Sequence, residues 1–124
     1  MMVMVPGEGR EDALEGRRVL VWTCETCARL CGVGGREKAE RTAEDLRSRG
    51  FDVVGVASTS ASCLMPKAMR LSEGSPERDV VLALCCSIGA ECARKATGKE
   101  VVNPVETLGA GYLDEGGVPR LSDI

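Results

Sequence analysis

Three cysteines in the first third of the chain follow a spacing that is typical of metal sites. Cys24, Cys27 and Cys31 form a C-x2-C-x3-C motif, directly after an apolar run at residues 19–23 and directly before a glycine-rich turn. The carboxyl end of a buried strand is where open α/β sheets place their ligands. Three thiolates at such a position are most simply explained as part of a metal site.

The sequence also restricts which group these thiolates can hold. The chain has seven cysteines and no histidine, so a metal site must be built mainly from sulfur. Sulfur-only ligation leaves two main candidates, an iron–sulfur cluster and a zinc ion held by four cysteines. A 4Fe–4S cluster needs four thiolates and commonly takes one from a distant part of the chain. The predicted metal ligands are Cys24, Cys27, Cys31, Cys63 and Cys86.

Composition and charge argue against several other classes of function. The net charge at pH 7 is −3 and only 2% of the residues are aromatic. Nucleic-acid binders need cationic surfaces and aromatic stacking platforms, so we expect no nucleic acid as a partner. The longest apolar stretch, residues 80–86, is far shorter than the ~20 residues of a membrane-spanning helix, so we expect no membrane contact. We expect a cytoplasmic protein with reduced thiols, because disulfides are rare in the cytosol.

Other motifs that could carry chemistry lack an essential residue. Gly32, Gly34 and Gly35 lie between a predicted strand and a predicted helix, where free N–H groups could contact a cofactor or face negative sulfur. A dinucleotide-binding fingerprint, however, would need a third glycine at the position of Glu37. Without histidine, neither a Ser–His nor a Cys–His catalytic pair can form.

The elements that must position these residues alternate between strand and helix. Apolar runs predict four strands, at residues 19–23, 51–57, 79–84 and 100–105. Helix formers and end signals predict three helices, at residues 36–49, 66–73 and 89–97. Such alternation is typical of a parallel sheet with right-handed crossovers. We therefore expect an α/β fold of the Rossmann or flavodoxin type: a small four-stranded parallel sheet with helices on both faces.

In this arrangement the carboxyl ends of the first three strands lie along one edge of the sheet. Six of the seven cysteines would meet at that edge, and Cys92, inside the third predicted helix, would remain apart from it. Neighbouring residues on a strand face opposite sides. If Cys86 faces the site, we therefore expect Cys85 to face the helix layer.

The two ends of the chain lack the regular alternation. Residues 1–17 combine glycines and a proline with charged residues, which predicts a mobile N-terminal arm with an exposed apolar segment at residues 1–5. Residues 3–5 could alternatively add an edge strand or dock on a partner. We expect residues 18–124 to form a single α/β metal-binding domain whose last part, after residue 105, is irregular.

The run from Cys24 to Gly35 resembles the cysteine-rich small subunit, or C-terminal domain, associated with acetogen-type methylenetetrahydrofolate reductase. That family shows a strand, a C-x2-C-x3-C loop, a Gly-Gly turn and a helix. The likeness continues with the lone Cys63 after the second strand, with Cys86-Ser-Ile-Gly89 at the end of the third, and loosely with residues 104–109. It covers about residues 18–112, and the family's further C-x2-C-G-x-C segment has no counterpart in the remaining residues.

The resemblance implies a metal-bearing accessory subunit that docks on a folate-binding flavoprotein and relays electrons or shapes the complex. The leading hypothesis is a 4Fe–4S accessory protein that serves one-carbon metabolism by electron transfer and is not itself catalytic. The implied partner is a flavoprotein of the methylenetetrahydrofolate reductase type or another redox subunit, and a second copy of this chain is the other partner considered. Two alternatives stay open. One is a structural zinc module held by four cysteines, and the other is a thiol-based redox or sulfur-transfer protein with a cysteine of low pKa.

Overall fold

Two β-sheets organise the computed structural model, which describes residues 1–123. The strands are β1 (Met2–Pro6), β2 (Arg18–Cys24), β3 (Asp52–Thr59), β4 (Val80–Leu84), β5 (Glu100–Val102), β6 (Val105–Leu113) and β7 (Pro119–Leu121). The helices are α1 (Cys27–Leu30), α2 (Arg36–Ser48), α3 (Met65–Glu73) and α4 (Ser87–Thr97), and a 3-10 turn spans Glu11–Leu14. No helix within residues 1–123 is long and apolar enough to cross a membrane.

The larger sheet is parallel and has the strand order β3-β2-β4-β5. Its two central strands, β2 and β4, are buried almost throughout, as expected for parallel strands covered on both faces. The predicted mixed α/β fold with a four-stranded parallel sheet is therefore confirmed. The fourth parallel strand ends at Val102, three residues earlier than predicted. The side chain of the next residue, Asn103, turns back to donate hydrogen bonds to Ala83 O and Cys85 O.

Helices cover both faces of the parallel sheet. On one face, α2 packs its small buried side chains Ala39 and Ala43, together with Leu46, on the apolar residues of β2, β3 and β4. On the other face, Ala68 of α3 and Ala90 of α4 pack around Trp22, which is completely buried. Because side chains along a strand alternate between faces, β2 and β4 contribute to both cores.

The two ends of the chain form the second sheet, which corrects two expectations. β1 pairs with β6, and β6 pairs with β7, both antiparallel. Val3 and Met4 are 6% and 3% exposed, so residues 1–5 are not the exposed segment of a mobile arm; the alternative of an added strand is the one observed. The part after residue 105 is regular rather than irregular. The partner of β1 lies about a hundred residues away in the chain, where no local pattern can indicate it.

Candidate functional site

Five of the seven cysteines line one small cavity at the carboxyl end of the parallel sheet. The cavity has a volume of about 100 Å³. Its other lining residues are mostly apolar or small, and no Asp or Glu of the described residues is among them. The five lining cysteines are Cys24, Cys27, Cys63, Cys85 and Cys86. Four of the five predicted ligands thus lie around a single space.

Strand ends and helix starts bring these thiols together. Cys24 is the last residue of β2, and Cys27 is the first residue of α1. Cys63 lies one residue before the N-cap of α3, and Cys86 is the N-cap of α4. The exposed N–H groups at a helix N-terminus favour negative charge, and α3 and α4 both begin at this cavity. The positive ends of these two helix dipoles therefore lie next to Cys63 and Cys86.

Cys86 shows the balance of forces on these thiols most clearly. Burial is the main cause that raises its pKa, while the N–H groups of Gly89 and Ile88 act in the opposite direction. The Gly89 N–H group donates to the Cys86 sulfur at 3.4 Å. Negative charge on Cys63 or Cys27 raises the Cys86 pKa further, because like charges repel. Burial and like-charge repulsion therefore both disfavour a thiolate at Cys86.

Cys85 corrects a prediction that was based on strand alternation. It lines the same cavity as Cys86 instead of facing only the helix layer. The reason is that β4 ends at Leu84, so the chain has already left the strand when it reaches Cys85. Cys85 is 1% exposed, and burial raises the pKa of its thiol, with the charges of Cys86 and Cys24 contributing in the same direction. Cys85 is consequently the thiol of this group that most favours its neutral form.

A buried serine ties the wall of the cavity together, and sequence reasoning missed it. The Trp22 Nε1–H group donates to Ser62 Oγ at 2.9 Å, and the Ser62 hydroxyl donates to Gly89 O at 2.9 Å. Ser62 is 1% exposed and immediately precedes Cys63. It therefore holds the Cys63 loop against the start of α4. The available signal was the single tryptophan, since a buried indole N–H group needs an acceptor.

The structure separates Cys31 and Cys92 from the five lining cysteines. Cys31 follows α1, and its sulfur lies 3.7 Å from Met2 O as a weak donor. It is four residues after Cys27 and so lies on the same side of the helical turn, but it does not line the cavity. Cys92 lies within α4, also outside the lining, in agreement with its expected separation from the site.

The glycine-rich turn has a packing role that differs from the predicted cofactor contact. The N–H groups of Gly32 and Gly34 donate to Arg29 O and Ala28 O, and that of Gly35 donates to Thr23 Oγ1 at 2.7 Å. The expectation of free N–H groups at this turn is therefore wrong. A side chain at Gly34 would lie 2.5 Å from Leu84 O, so this position needs glycine because it lies directly against β4. Gly32 and Gly35 have φ angles of +73° and +91°, in the left-handed region that favours glycine.

The donor set suits a thiolate-ligated group in its chemistry. Within residues 1–123, no three Cys, Asp or Glu side chains are arranged so that they could hold one metal ion. A zinc ion requires four sulfur atoms about 2.3 Å from one point, whereas each iron of a cubane takes a single protein sulfur and the four irons lie apart. The two groups therefore place different demands on the positions of the thiols. No known protein-family model matches the chain, and the search of curated proteins finds no match.

Proposed function

We propose that this protein is a 4Fe–4S accessory subunit that transfers electrons and does not itself carry out a substrate reaction. The observation that carries the proposal is the grouping of five cysteines around one apolar cavity. Cysteines that only fill a core do not need to line one common cavity. Four thiolates on an oxidised cubane leave a net charge of −2, which suits the N-termini of α3 and α4.

The order of the parallel strands supports the position of this site. Numbered among themselves, the parallel strands run 2-1-3-4, the first four positions of the flavodoxin-like order 2-1-3-4-5. We propose that the domain is a short member of this doubly wound type. The strand order reverses between β2 and β4, and ligands of such sheets bind in the crevice outside the carboxyl ends of those two strands. Cys24 and Cys85 stand at the two sides of that crevice.

Four of the lining cysteines are the proposed ligands: Cys24, Cys27, Cys63 and Cys86. A bound cluster would supply one-electron transfer, and the protein would tune it through burial and hydrogen bonds to sulfur. Met2 and Ile88 line the cavity and would restrict water. Cys85 would remain a neutral neighbour because its thiol is the most deeply buried. The resemblance of residues 18–112 supplies the partner class, a flavoprotein of the methylenetetrahydrofolate reductase type.

Anaerobic reconstitution with iron and sulfide tests this proposal. We expect a brown protein with about four irons per chain and a reducible cluster signal in electron paramagnetic resonance. Cys27→Ser should lose the cluster, whereas Cys92→Ser should keep it, since only Cys27 lines the cavity. A colourless protein that retains one zinc would establish the zinc module instead. Equal loss of iron in both variants would show that the cavity is not the site.

A second candidate is a thiol-based redox protein, favoured by the exposure of Cys63 beside the buried group. Cys63 is exposed, and its charge acts on Cys86, so the two thiols are neighbours. An exposed thiol next to a second thiol is the usual arrangement for disulfide exchange. A chain that takes up no iron or zinc, and that forms a Cys63–Cys86 disulfide with oxidised glutathione, would support this candidate.

A further inference from the structure

A second hollow runs along α2, on the face of the parallel sheet opposite the cysteine cavity. Leu84, the last residue of β4, lines this hollow, whereas the next residue, Cys85, lines the cysteine cavity. The hollow has a volume of about 300 Å³ and lies between α2 and the segment that contains Gly9 and Leu14. Ligand sites in proteins begin at about this size.

This hollow continues into a second, apolar one. The adjoining space has a volume of about 170 Å³ and shares Lys38, Leu84 and Pro104 with the first. Its remaining lining is Pro6, Gly32, Val33 and Val105, without a charged side chain. We call the two spaces together the α2 groove. Lys38 stands where they meet, so an apolar body in the second space would place its end group beside this lysine.

Charge is unevenly distributed along the α2 groove. Two carboxylates line it, and Arg49 pairs with both of them, with Glu11 at 2.6 Å and with Asp45 at 2.9 Å. The four lining cations, Arg49 included, outnumber these two carboxylates. Arg10 and Lys38 also line the groove, and within residues 1–123 neither forms an ion pair. Arg41, a third lining cation, meets only the exposed Glu37 at 3.4 Å.

Arg10, Lys38 and Arg41 therefore leave an excess of positive charge in the groove, although the whole chain has a net charge of −3. Lys38 belongs to the first turn of α2, where the helix dipole also favours an anion. Within residues 1–123, no ion pair neutralises Arg10 or Lys38. Positive charge therefore lies directly beside the apolar space of the groove.

We propose that the α2 groove binds a small amphipathic anion, a carboxylate or phosphate ester with an apolar body. The anionic head would contact Lys38 and Arg41, and the body would lie along Leu84 and Pro104 into the apolar space. The cysteine cavity takes no part, so the proposal is independent of the cluster.

Displacement of a fluorescent probe, anilinonaphthalene sulfonate, tests the proposal on the full chain. We expect the probe to bind saturably, decanoate to displace it, and 1-decanol at the same concentration to leave it bound. The double variant Lys38→Gln/Arg41→Gln should weaken decanoate binding about tenfold or more, since two charge-assisted contacts are lost. Amide chemical-shift changes caused by decanoate should appear around Lys38 and Arg10.

The matched control is Arg94→Gln/Lys95→Gln, two exposed cations of α4 that lie outside the groove. It should leave decanoate affinity within about twofold of the original. All four altered side chains are exposed, and thermal unfolding would verify that both variants fold. Absence of saturable binding, equal displacement by decanol, or equal weakening in both double variants would overturn the proposal.

Discussion

Neighbouring thiols of the cysteine cavity have very different access to solvent. Cys63 is exposed at the mouth of the cavity, whereas Cys85 is 1% exposed and its pKa is raised, chiefly by burial. A thiol reacts through its thiolate. Burial therefore lowers the reactivity of a cysteine in two ways, because it limits the access of the reagent and keeps the thiol proton bound. Both residues line the same space, yet they should behave as chemically distinct groups.

Alkylation of the metal-free protein at pH 8 should reveal this difference. We expect iodoacetamide to modify Cys63 first and Cys85 at a rate lower by about two orders of magnitude or more, because Cys85 reacts only when the structure opens. Mass spectrometry of quenched peptides measures both rates. In concentrated urea the two rates should converge. Equal rates in the folded protein would contradict the buried position of Cys85.

At the scale of elements, the glycine turn before α2 is held against β4 by one hydroxyl. Thr23 Oγ1 accepts from Gly35 N at 2.7 Å and donates to Leu84 O at 2.9 Å. This bridge links the end of β2, the turn and the end of β4. The bridge requires the backbone at Gly34 to lie close to Leu84 O. It also positions α1, whose first residue Cys27 lines the cavity.

Gly34→Ala should therefore destabilise the protein. Its Cβ atom would come within 2.5 Å of Leu84 O and 2.7 Å of Thr23 Oγ1, and relieving such overpacking costs about 1–3 kcal/mol. Urea unfolding of the metal-free protein measures the loss. The control is Gly74→Ala, where φ is −87° and the added Cβ atom would lie 3.5 Å from Arg70 O, so its effect should stay within about 1 kcal/mol. Similar losses in both variants would contradict the close approach at Gly34.

The opposite end of the parallel sheet is joined by an exposed ion pair. Arg18 donates to Asp79 through its backbone N–H at 2.8 Å and through its guanidinium at 3.0 and 3.1 Å. These hydrogen bonds hold the pKa of Asp79 at about 2, below its ordinary value of 3.8. A carboxyl group with a lowered pKa stabilises the fold above its ordinary pKa, and this stabilisation is lost as the pH falls towards the lowered value.

Asp79→Asn should lower the midpoint of urea unfolding at pH 7. The difference in midpoint between this variant and the unchanged protein should shrink as the pH falls from about 4 to about 2. The direction follows from the lowered pKa, since protonation removes the charge that Arg18 binds. Urea titrations at a series of pH values measure it. Asp12→Asn, which removes a carboxylate without an ion pair in the described residues, is the control. A difference that grows as the pH falls would contradict this assignment.

At the scale of the whole molecule, the first strand joins the two ends of the chain. β1 pairs with β6, and the terminal amino group of Met1 donates to Gly111 O at 3.0 Å. Met2 also lines the cysteine cavity, and Met4 is buried in the adjacent core. The antiparallel sheet is therefore physically connected to the wall of the candidate site.

Removal of residues 1–6 should release β6 and β7 and open one side of the cysteine cavity. We expect the amides of residues 105–113 to lose their protection from hydrogen exchange, while those of β2 and β4 stay protected because both faces of these strands remain covered. Hydrogen-exchange mass spectrometry resolves the two regions. Removal of residues 119–123 alone should leave β6 largely protected. Unchanged protection of residues 105–113 after loss of residues 1–6 would contradict the role of β1.

The sequence by itself determined the four parallel strands and the helices α2, α3 and α4, though not the short helix α1 within the cysteine loop, and it placed cysteines at strand ends. Periodicity and end signals are local, and they reflect which face of each element is buried. From this alone, the meeting of Cys24, Cys27, Cys63 and Cys86 at one edge could be predicted, because parallel strands share a direction.

Only the tertiary structure decided the pairing of β1 with β6, the place of Cys85 in the cavity wall and the exclusion of Cys31 from it. It also revealed the α2 groove, which no motif indicates. The physical reason is the same in each case. Strand pairing over a hundred residues, and the direction of a chain that has just left its strand, depend on the packing of the whole molecule, and no local pattern encodes that packing.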